Sequence, residues 1–192
     1  MILLKTAAAA ELANYPLALF SFEDAGVSGP KSLAPAARRQ ILDLAKAEHF
    51  KGSVGECSSF SWNGRRLIVV GLGKRKEYSE ETQRRAAAAL ARAARDRFEK
   101  LAVAPFAARA AAEGLLLGSY RFTEYKKGEP SKFVEASFGF EGAAEKRQLE
   151  QALARAMVVC EQVALARDLV NRGPSDKTPA SLAELAKSLE GD

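Results

Sequence analysis

Histidine is nearly absent from this chain of 192 residues, which has one histidine and two cysteines. A Ser/His/Asp or Cys/His catalytic arrangement would have to be built on His49, and we interpret this residue, in the surface-like connection KAEHFKG, as structural. Zinc sites with nitrogen and sulfur ligands need several such side chains and are therefore not expected. Composition permits an all-carboxylate metal site, but no tight cluster of acidic residues appears at ligand spacing.

The sequence also lacks a long apolar run. No run approaches the roughly 18 residues that a membrane span requires. The ILLKT stretch after Met1 has neither the charged nor the small-residue flank of a secretory signal. We therefore expect no membrane association and a cytoplasmic location. Because 47% of the residues are hydrophobic and 28% are charged, the composition is that of one globular domain, or of one domain with a short extension.

Cysteine context and net charge indicate no particular chemistry. Cys57 lies in a polar, strand-like stretch and Cys160 on the apolar face of a helix, which favours reduced structural thiols over a disulfide or a nucleophile. The net charge of +5 permits contact with nucleic acid without requiring it.

Strand and helix patterns alternate along the first three quarters of the chain. Short apolar runs with polar, glycine or proline boundaries predict strands at residues 2–6, 16–22, 53–62, 66–72, 101–105 and 131–140. Asn63-Gly64 predicts a tight hairpin between the third and fourth of these strands. Helical periodicity predicts helices at residues 35–47, from the N-cap Ser79 to about Lys100, and at 107–122. The alternation favours an α/β fold with a mixed sheet covered by helices on both faces.

The last quarter of the chain predicts one long helix and the beginning of another. Residues 142–170 carry apolar side chains at spacings of three, four and seven, which is typical of a helix with one buried face. These side chains are Leu149, Leu153, Ala156, Cys160, Val163 and Ala164. A polar turn follows at 171–177, and Thr178 with Pro179 at the first helical position predicts the start of a final helix.

Three patterns in the sequence could bind ligands, and each has a simpler structural interpretation. GLGK at 71–74 lacks the GxxxxGK[ST] spacing of a phosphate-binding loop and is interpreted as a strand-to-helix turn. Glu161 and Asp168 could bring two carboxylates together on one helix face, although pairing with Arg167 or other neighbours is the simpler explanation. A basic set could follow a phosphate backbone, but no aromatic residues alternate with it and acidic residues dilute it, so we interpret it as a solvated face. Its members are Lys74, Arg75, Lys76, Arg84, Arg85, Arg92, Arg95, Arg97 and Lys100.

One segment indicates a family. AEGLLLGSYRFTEYK at 112–126 resembles the EGxxLGxYxFxxYK segment in the amino-terminal half of the leucyl aminopeptidases of peptidase family M17. The matching positions are Glu113, Gly114, Leu117, Gly118, Tyr120, Phe122, Tyr125 and Lys126. We expect the two glycines to let their helix press its backbone against a sheet, and the aromatic residues to add cover with hydroxyls free to contact water.

Three further segments resemble the same family, in the same order. They are HFKGSVGE at 49–56, the strand, GLGK turn and helix at 65–93, and ALARDLVNRGPSDKTPASLAELA at 164–186. The turn in the last segment departs from the family's NxPxNxxTP, since Gly173 and Ser175 replace the first proline and the second asparagine. The flanking ARDLV and TPASLAELA agree with the family pattern.

The resemblance implies a domain organisation. Residues 1–141 would form a three-layer α/β domain similar to macro domains, with a central mixed sheet flanked by helices, and 142–170 the long connecting helix. Residues 171–192 would be the interdomain turn and the first helix of a catalytic domain that lies outside this sequence. In the family, two divalent metal ions (zinc, manganese or magnesium), held in the catalytic domain around an NTDAEGR motif, act in removing amino-terminal residues from peptides. We therefore assign no catalytic, cofactor-binding or metal-binding residue here and expect the chain alone to be inactive.

The resemblance also implies partners, namely the chain's own catalytic domain, the other subunits of a hexamer, and peptide substrates of the whole enzyme. We predict a non-catalytic domain that supports assembly and shapes access to the active sites. Two alternatives stay open. One is a DNA-binding module that uses the basic surface, because some bacterial family members bind DNA. The other is a ligand-binding module of the macro-domain type, which fold alone suggests.

Overall fold

The computed structural model describes residues 1–125 and 131–189. The strands are β1 (Leu3–Ala8), β2 (Leu17–Ser21), β3 (Cys57–Trp62), β4 (Arg65–Gly71), β5 (Lys100–Ala104) and β6 (Glu135–Phe140). The helices are α1 (Pro35–Ala47), α2 (Glu80–Ala94), α3 (Ala108–Ser119), α4 (Ala143–Asn171) and α5 (Pro179–Leu189), and a short 3₁₀ turn occupies Arg75–Glu77. All six predicted strands and all five predicted helices are therefore present.

The six strands form one mixed sheet in the order β1-β6-β5-β2-β4-β3. The neighbouring pairs β1–β6, β6–β5, β5–β2 and β2–β4 are parallel, and β3 runs antiparallel to β4 at one edge. The β3–β4 connection is the predicted hairpin, because Asn63 and Gly64 adopt φ values of 47° and 76° between paired Trp62 and Arg65.

Helices cover both faces of the sheet, which confirms the predicted three-layer architecture. On one face, a large apolar cluster combines strand residues with Leu90 of α2, Leu115 of α3 and Ala156 of α4. On the other face, a smaller cluster contains Ile41 and Ala45 of α1. The apolar stripes of these helices fix which face each one buries, since burying them is the main favourable contribution to folding.

The two glycines of α3 approach a helix and not the sheet, so that part of the prediction was wrong. A Cβ atom on Gly114 would lie 2.2 Å from the carbonyl oxygen of Arg84, and one on Gly118 would lie 2.6 Å from the Cα of Ala88. Both contacts are with α2. The small residues on the two helices let their backbones meet at a distance that a side chain would prevent.

Helix α2 begins where predicted and ends earlier. Ser79 and Thr82 form a reciprocal capping box, in which each side-chain oxygen accepts from the other residue's backbone N–H at 3.3 Å. The helix was expected to reach Lys100 but ends at Ala94. The carbonyl oxygens of Arg95 and Glu99 accept hydrogen bonds from the chain that leads into β6. Residues 95–99 therefore form the connection that places β5 beside β6.

Candidate interdomain joint

The long helix α4 packs against the domain by its middle. Leu153, Ala156 and Cys160 are its buried residues, and the Cys160 thiol points to the carbonyl oxygen of Glu113 at 3.8 Å. Burial raises the pKa of Cys160 and that of Cys57 to about 11. Both thiols are free and stay protonated at neutral pH, which agrees with the structural interpretation of the two cysteines.

The carboxyl-terminal end of α4 is bound to the residue that follows α3. The Tyr120 hydroxyl donates a hydrogen bond to Asp168 Oδ1 at 2.7 Å and accepts one from Asn171 Nδ2 at 3.2 Å. The Arg167 guanidinium lies 5.3 Å from the centre of the Tyr120 ring and donates to the Leu117 carbonyl oxygen at 3.2 Å. Asp168 thus bonds to Tyr120, whereas the sequence suggested pairing within its own helix.

The polar turn after α4 is bound to the same segment. The Tyr125 hydroxyl donates to Asp176 Oδ2 and accepts from the backbone N–H of Gly173 at 3.0 Å. Arg172 Nε donates to Glu124 Oε2 at 2.9 Å. We call this group the aromatic latch, and its members are Tyr120, Glu124, Tyr125, Asp168, Asn171, Arg172, Gly173 and Asp176.

The latch tyrosines act as donors over the whole neutral range. Burial, followed by the hydrogen bond to Asp168, raises the pKa of Tyr120 above its ordinary value. The hydrogen bond to Asp176 raises the pKa of Tyr125. The sequence analysis expected these hydroxyls to be free to contact water; in the structure each one also has a carboxylate acceptor. Lys126, the last position of the motif, lies outside the described residues.

Helix α5 starts as predicted and exposes its apolar side. Ser181 N–H donates to Thr178 Oγ1 at 3.2 Å, which makes Thr178 the N-cap before Pro179. No residue of α5 is buried, and Leu182 and Leu189 are 44% and 55% exposed. Leucines at positions 182, 185 and 189 recur at helical spacing, so α5 has an apolar side on which Leu182 and Leu189 are exposed and Leu185 is partly buried.

A separate cleft lies at the carboxyl ends of the parallel strands, where α/β sheets bind ligands in general. Its volume is about 520 Å³, and its floor includes Leu12, Leu17, Phe138 and Leu149. Arg38 organises one wall through hydrogen bonds to the carbonyl oxygens of residues 27, 29, 30 and 33. The charged lining residues are Lys31, Arg65, Arg109, Glu80, Glu141 and Glu145. The lining thus carries three carboxylates and three cations.

The structure also places the other residues that the sequence analysis considered as candidates. In the GLGK turn, Gly73 has φ of 72° and its N–H donates to the Gly52 carbonyl oxygen at 2.8 Å, so the turn's backbone binds protein. His49 is exposed just after α1 with φ of 61°. Arg84, one of the basic set, is paired with Glu81 and with buried Glu113. Sequence reasoning missed this last pairing, which joins residues 29 positions apart.

Over residues 1–125 and 131–189, no group of three His, Cys, Asp or Glu side chains is arranged to hold a metal ion. Within the same residues, no helix is both long and apolar enough to cross a membrane.

Comparison with known proteins places these features in a family. Residues 18–129 match the model of the cytosol aminopeptidase family, N-terminal domain. A probable cytosol aminopeptidase of Microcystis aeruginosa is 32% identical over 162 residues, which are 78% of this chain and 32% of that protein. Its counterpart in Aquifex aeolicus is 34% identical over 82% of this chain and 34% of its own length. The chain therefore spans about one third of the relatives that it matches.

Solved structures agree with the fold. A tomato leucine aminopeptidase mutant superposes with a TM-score of 0.75 at 24% identity, over 98% of this chain and 42% of that one. The bottromycin maturation enzyme BotP gives a TM-score of 0.70 at 25% identity, over 92% of this chain and 37% of its own. Each superposition thus covers more than nine tenths of this chain and less than half of the solved chain.

Proposed function

Because this chain belongs to the cytosol aminopeptidase family and contains its N-terminal domain, we propose that it is the non-catalytic domain of a longer, metal-dependent leucyl aminopeptidase. Its role is to support assembly of that enzyme and to shape access to the active sites. The proposed limits are 1–141 for the α/β domain, 142–170 for the connecting helix and 171–192 for the joint with the catalytic domain.

The exposed apolar face of α5 carries this proposal. A helix of 11 residues is marginal in water unless its apolar side packs against something. Leu182 and Leu189 are exposed and Leu185 is only partly buried, although the N-cap at Thr178 is formed. We infer that the catalytic domain of the longer protein covers this face. Val170 at the end of α4 is also exposed, at 78%.

The chemistry belongs to the remainder of the longer protein. Two divalent metals held by that remainder would supply Lewis-acid activation for the hydrolysis of a peptide bond. The described residues do not fit a two-metal centre, because they contain no group of three potential ligands. Peptide substrates, the hexamer and the cytoplasmic location are proposals that rest on the family alone.

The two alternatives find little support in the described residues. Arg84 is engaged with Glu113 and Glu81, which reduces the basic set that could contact DNA. The cleft at the carboxyl ends of the strands has balanced charges, so a diphosphate ligand such as ADP-ribose would meet as many carboxylates as cations. We expect no heat of binding from ADP-ribose in calorimetry.

Hydrolysis of an aminoacyl amide tests the proposed function. The purified chain is assayed with and without added Mn²⁺ or Zn²⁺, beside a complete aminopeptidase of the family as the positive control. We expect no turnover from the chain under either condition. Metal-stimulated turnover by the pure chain would overturn the proposal, because it would require catalytic groups among these 192 residues.

A further inference from the structure

We propose that the aromatic latch is a positioning device that sets the direction in which α5 leaves α4. The two tyrosine hydroxyls bind two carboxylates, Asp168 just before the turn and Asp176 near the end of the turn. The turn is therefore fixed at both ends to one short segment that follows α3. This inference rests on the proposed function only for its consequence, which is that the latch orients the catalytic domain.

The position of the latch argues for a local role. Tyr120 and Asp168 are 48 residues apart, and Tyr125 and Asp176 are 51 apart, so each bond joins distant parts of the chain. The Tyr125–Asp176 bond is exposed and the Tyr120–Asp168 bond is partly buried, and none of the four residues belongs to either apolar cluster. Losing one of them removes no core packing. The loss instead releases residues 171–178 and the helix that follows them.

The latch also explains why this turn tolerates an unusual sequence. Gly173 replaces a family proline, and its N–H, which a proline would lack, donates to the Tyr125 hydroxyl at 3.0 Å. Arg172 adds a charged hydrogen bond to Glu124 at 2.9 Å. The side chains of the latch thus fix a turn in which glycine stands where the family pattern has a proline.

Limited trypsin digestion of the 192-residue chain tests the proposal. The turn contains two cleavage sites, after Arg172 and after Lys177, and α4 contains an internal reference site after Arg147. Tyr120→Phe and Tyr125→Phe each remove the two hydrogen bonds of one hydroxyl. We expect each change to speed cleavage in the turn by at least about fivefold. Cleavage after Arg147 and the midpoint of thermal unfolding should stay at the wild-type values.

Tyr15→Phe serves as the matched control, because its ring packs beside the smaller apolar cluster on the opposite face of the sheet. Asp176→Ala removes the acceptor of the Tyr125 hydrogen bond. We expect it to speed cleavage in the turn as Tyr125→Phe does. Unchanged cleavage in the turn for all three latch variants would overturn the proposal. An equal increase in the rate of cleavage after Arg147, together with a lower midpoint of thermal unfolding, would also overturn the proposal. That result would mean a general loss of stability. Because no catalytic domain or substrate is used, the outcome is independent of the aminopeptidase assay.

Discussion

Arg84 on α2 donates two hydrogen bonds, at 2.8 and 2.6 Å, to the buried Oε2 of Glu113 on α3. Arg109 Nε donates to the other carboxylate oxygen at 2.9 Å. Glu113 is only 4% exposed, so its charge depends on these two guanidinium groups. The family segment at 112–126 therefore begins with the ion-pair cluster between α2 and α3 and continues into the aromatic latch.

Glu113→Gln should lower the free energy of unfolding by about 2 kcal/mol, because removing one member of a buried pair leaves the other charges under-compensated. Urea denaturation of the purified variant measures this change. Glu81→Gln is the matched control, since Glu81 pairs with the same Arg84 but its side chain is 63% exposed. Glu81→Gln should lower the free energy of unfolding by less than about 1 kcal/mol, because exposed ion pairs contribute little. Equal losses for the two variants would contradict the special role of Glu113.

Acid should weaken the contact between α2 and α3. Burial alone raises the pKa of Glu113, but hydrogen bonds and charge from Arg84 and Arg109 outweigh it, and the pKa lies below the ordinary 4.5. The folded state thus binds fewer protons than the unfolded chain as pH falls past 4.5, and the contribution is lost as pH falls through the folded pKa. Urea denaturation from pH 7 down to about pH 3 should show a steeper loss for wild type than for Glu113→Gln. Glu135 also has a lowered pKa, chiefly because of the hydrogen bond from Lys5. It contributes to the pH dependence of wild type and of the variant alike. Parallel pH profiles would refute the assignment.

Gly118→Ala tests the close approach of α3 to α2. A methyl group there would lie 2.6 Å from backbone atoms of Ala88, so one helix must shift. We expect a loss of about 2 kcal/mol in the free energy of unfolding, even though alanine favours helix more than glycine does. Gly26→Ala is the control, because nothing lies within 4 Å of the added methyl group. A neutral Gly118→Ala would show that the two helices are not packed this closely.

Much of the fold follows from local sequence patterns. The Asn63-Gly64 hairpin, the Ser79 and Thr178 caps and the bounds of α1 were predicted correctly, because each depends on residues that are near in sequence. The end of α2 was not, since the helical pattern through Phe98 continues past the point where residues 95–99 bind the chain before β6. A partner that is distant in the sequence decided that boundary.

The contacts of the joint could be predicted only in part. The motif placed Tyr120 and Tyr125 in a segment that resembles the family's. No residue near them in the sequence indicates that Asp168 or Asp176 accepts their hydrogen bonds. The same holds for Glu113 and Arg84, which the sequence placed in unrelated segments. Side-chain pairs over such separations depend on how helices are packed, and a single sequence does not report this packing.

Leu182→Ser tests whether the longer protein covers the apolar side of α5. In the 192-residue chain this change should alter the free energy of unfolding by less than about 0.5 kcal/mol, because Leu182 is already 44% exposed. In the longer protein the same change should cost about 2 kcal/mol, which is the value of a buried leucine. Leu115→Ser is the control for a leucine that is fully buried within this domain, and it should cost about 3 kcal/mol or more in both proteins. A large effect of Leu182→Ser in the short chain would mean that α5 is packed within this domain.

Amide hydrogen exchange of α5 tests the central claim most directly. The rates are compared between the 192-residue chain and the longer protein that continues into a catalytic domain, with the α2 and α3 amides as internal references. We predict that the amides of residues 182–189 exchange at least about 100-fold more slowly in the longer protein, while those of α2 and α3 are unchanged. Equal α5 rates in the two proteins would contradict the account, because the apolar face of α5 would then remain uncovered in the whole enzyme.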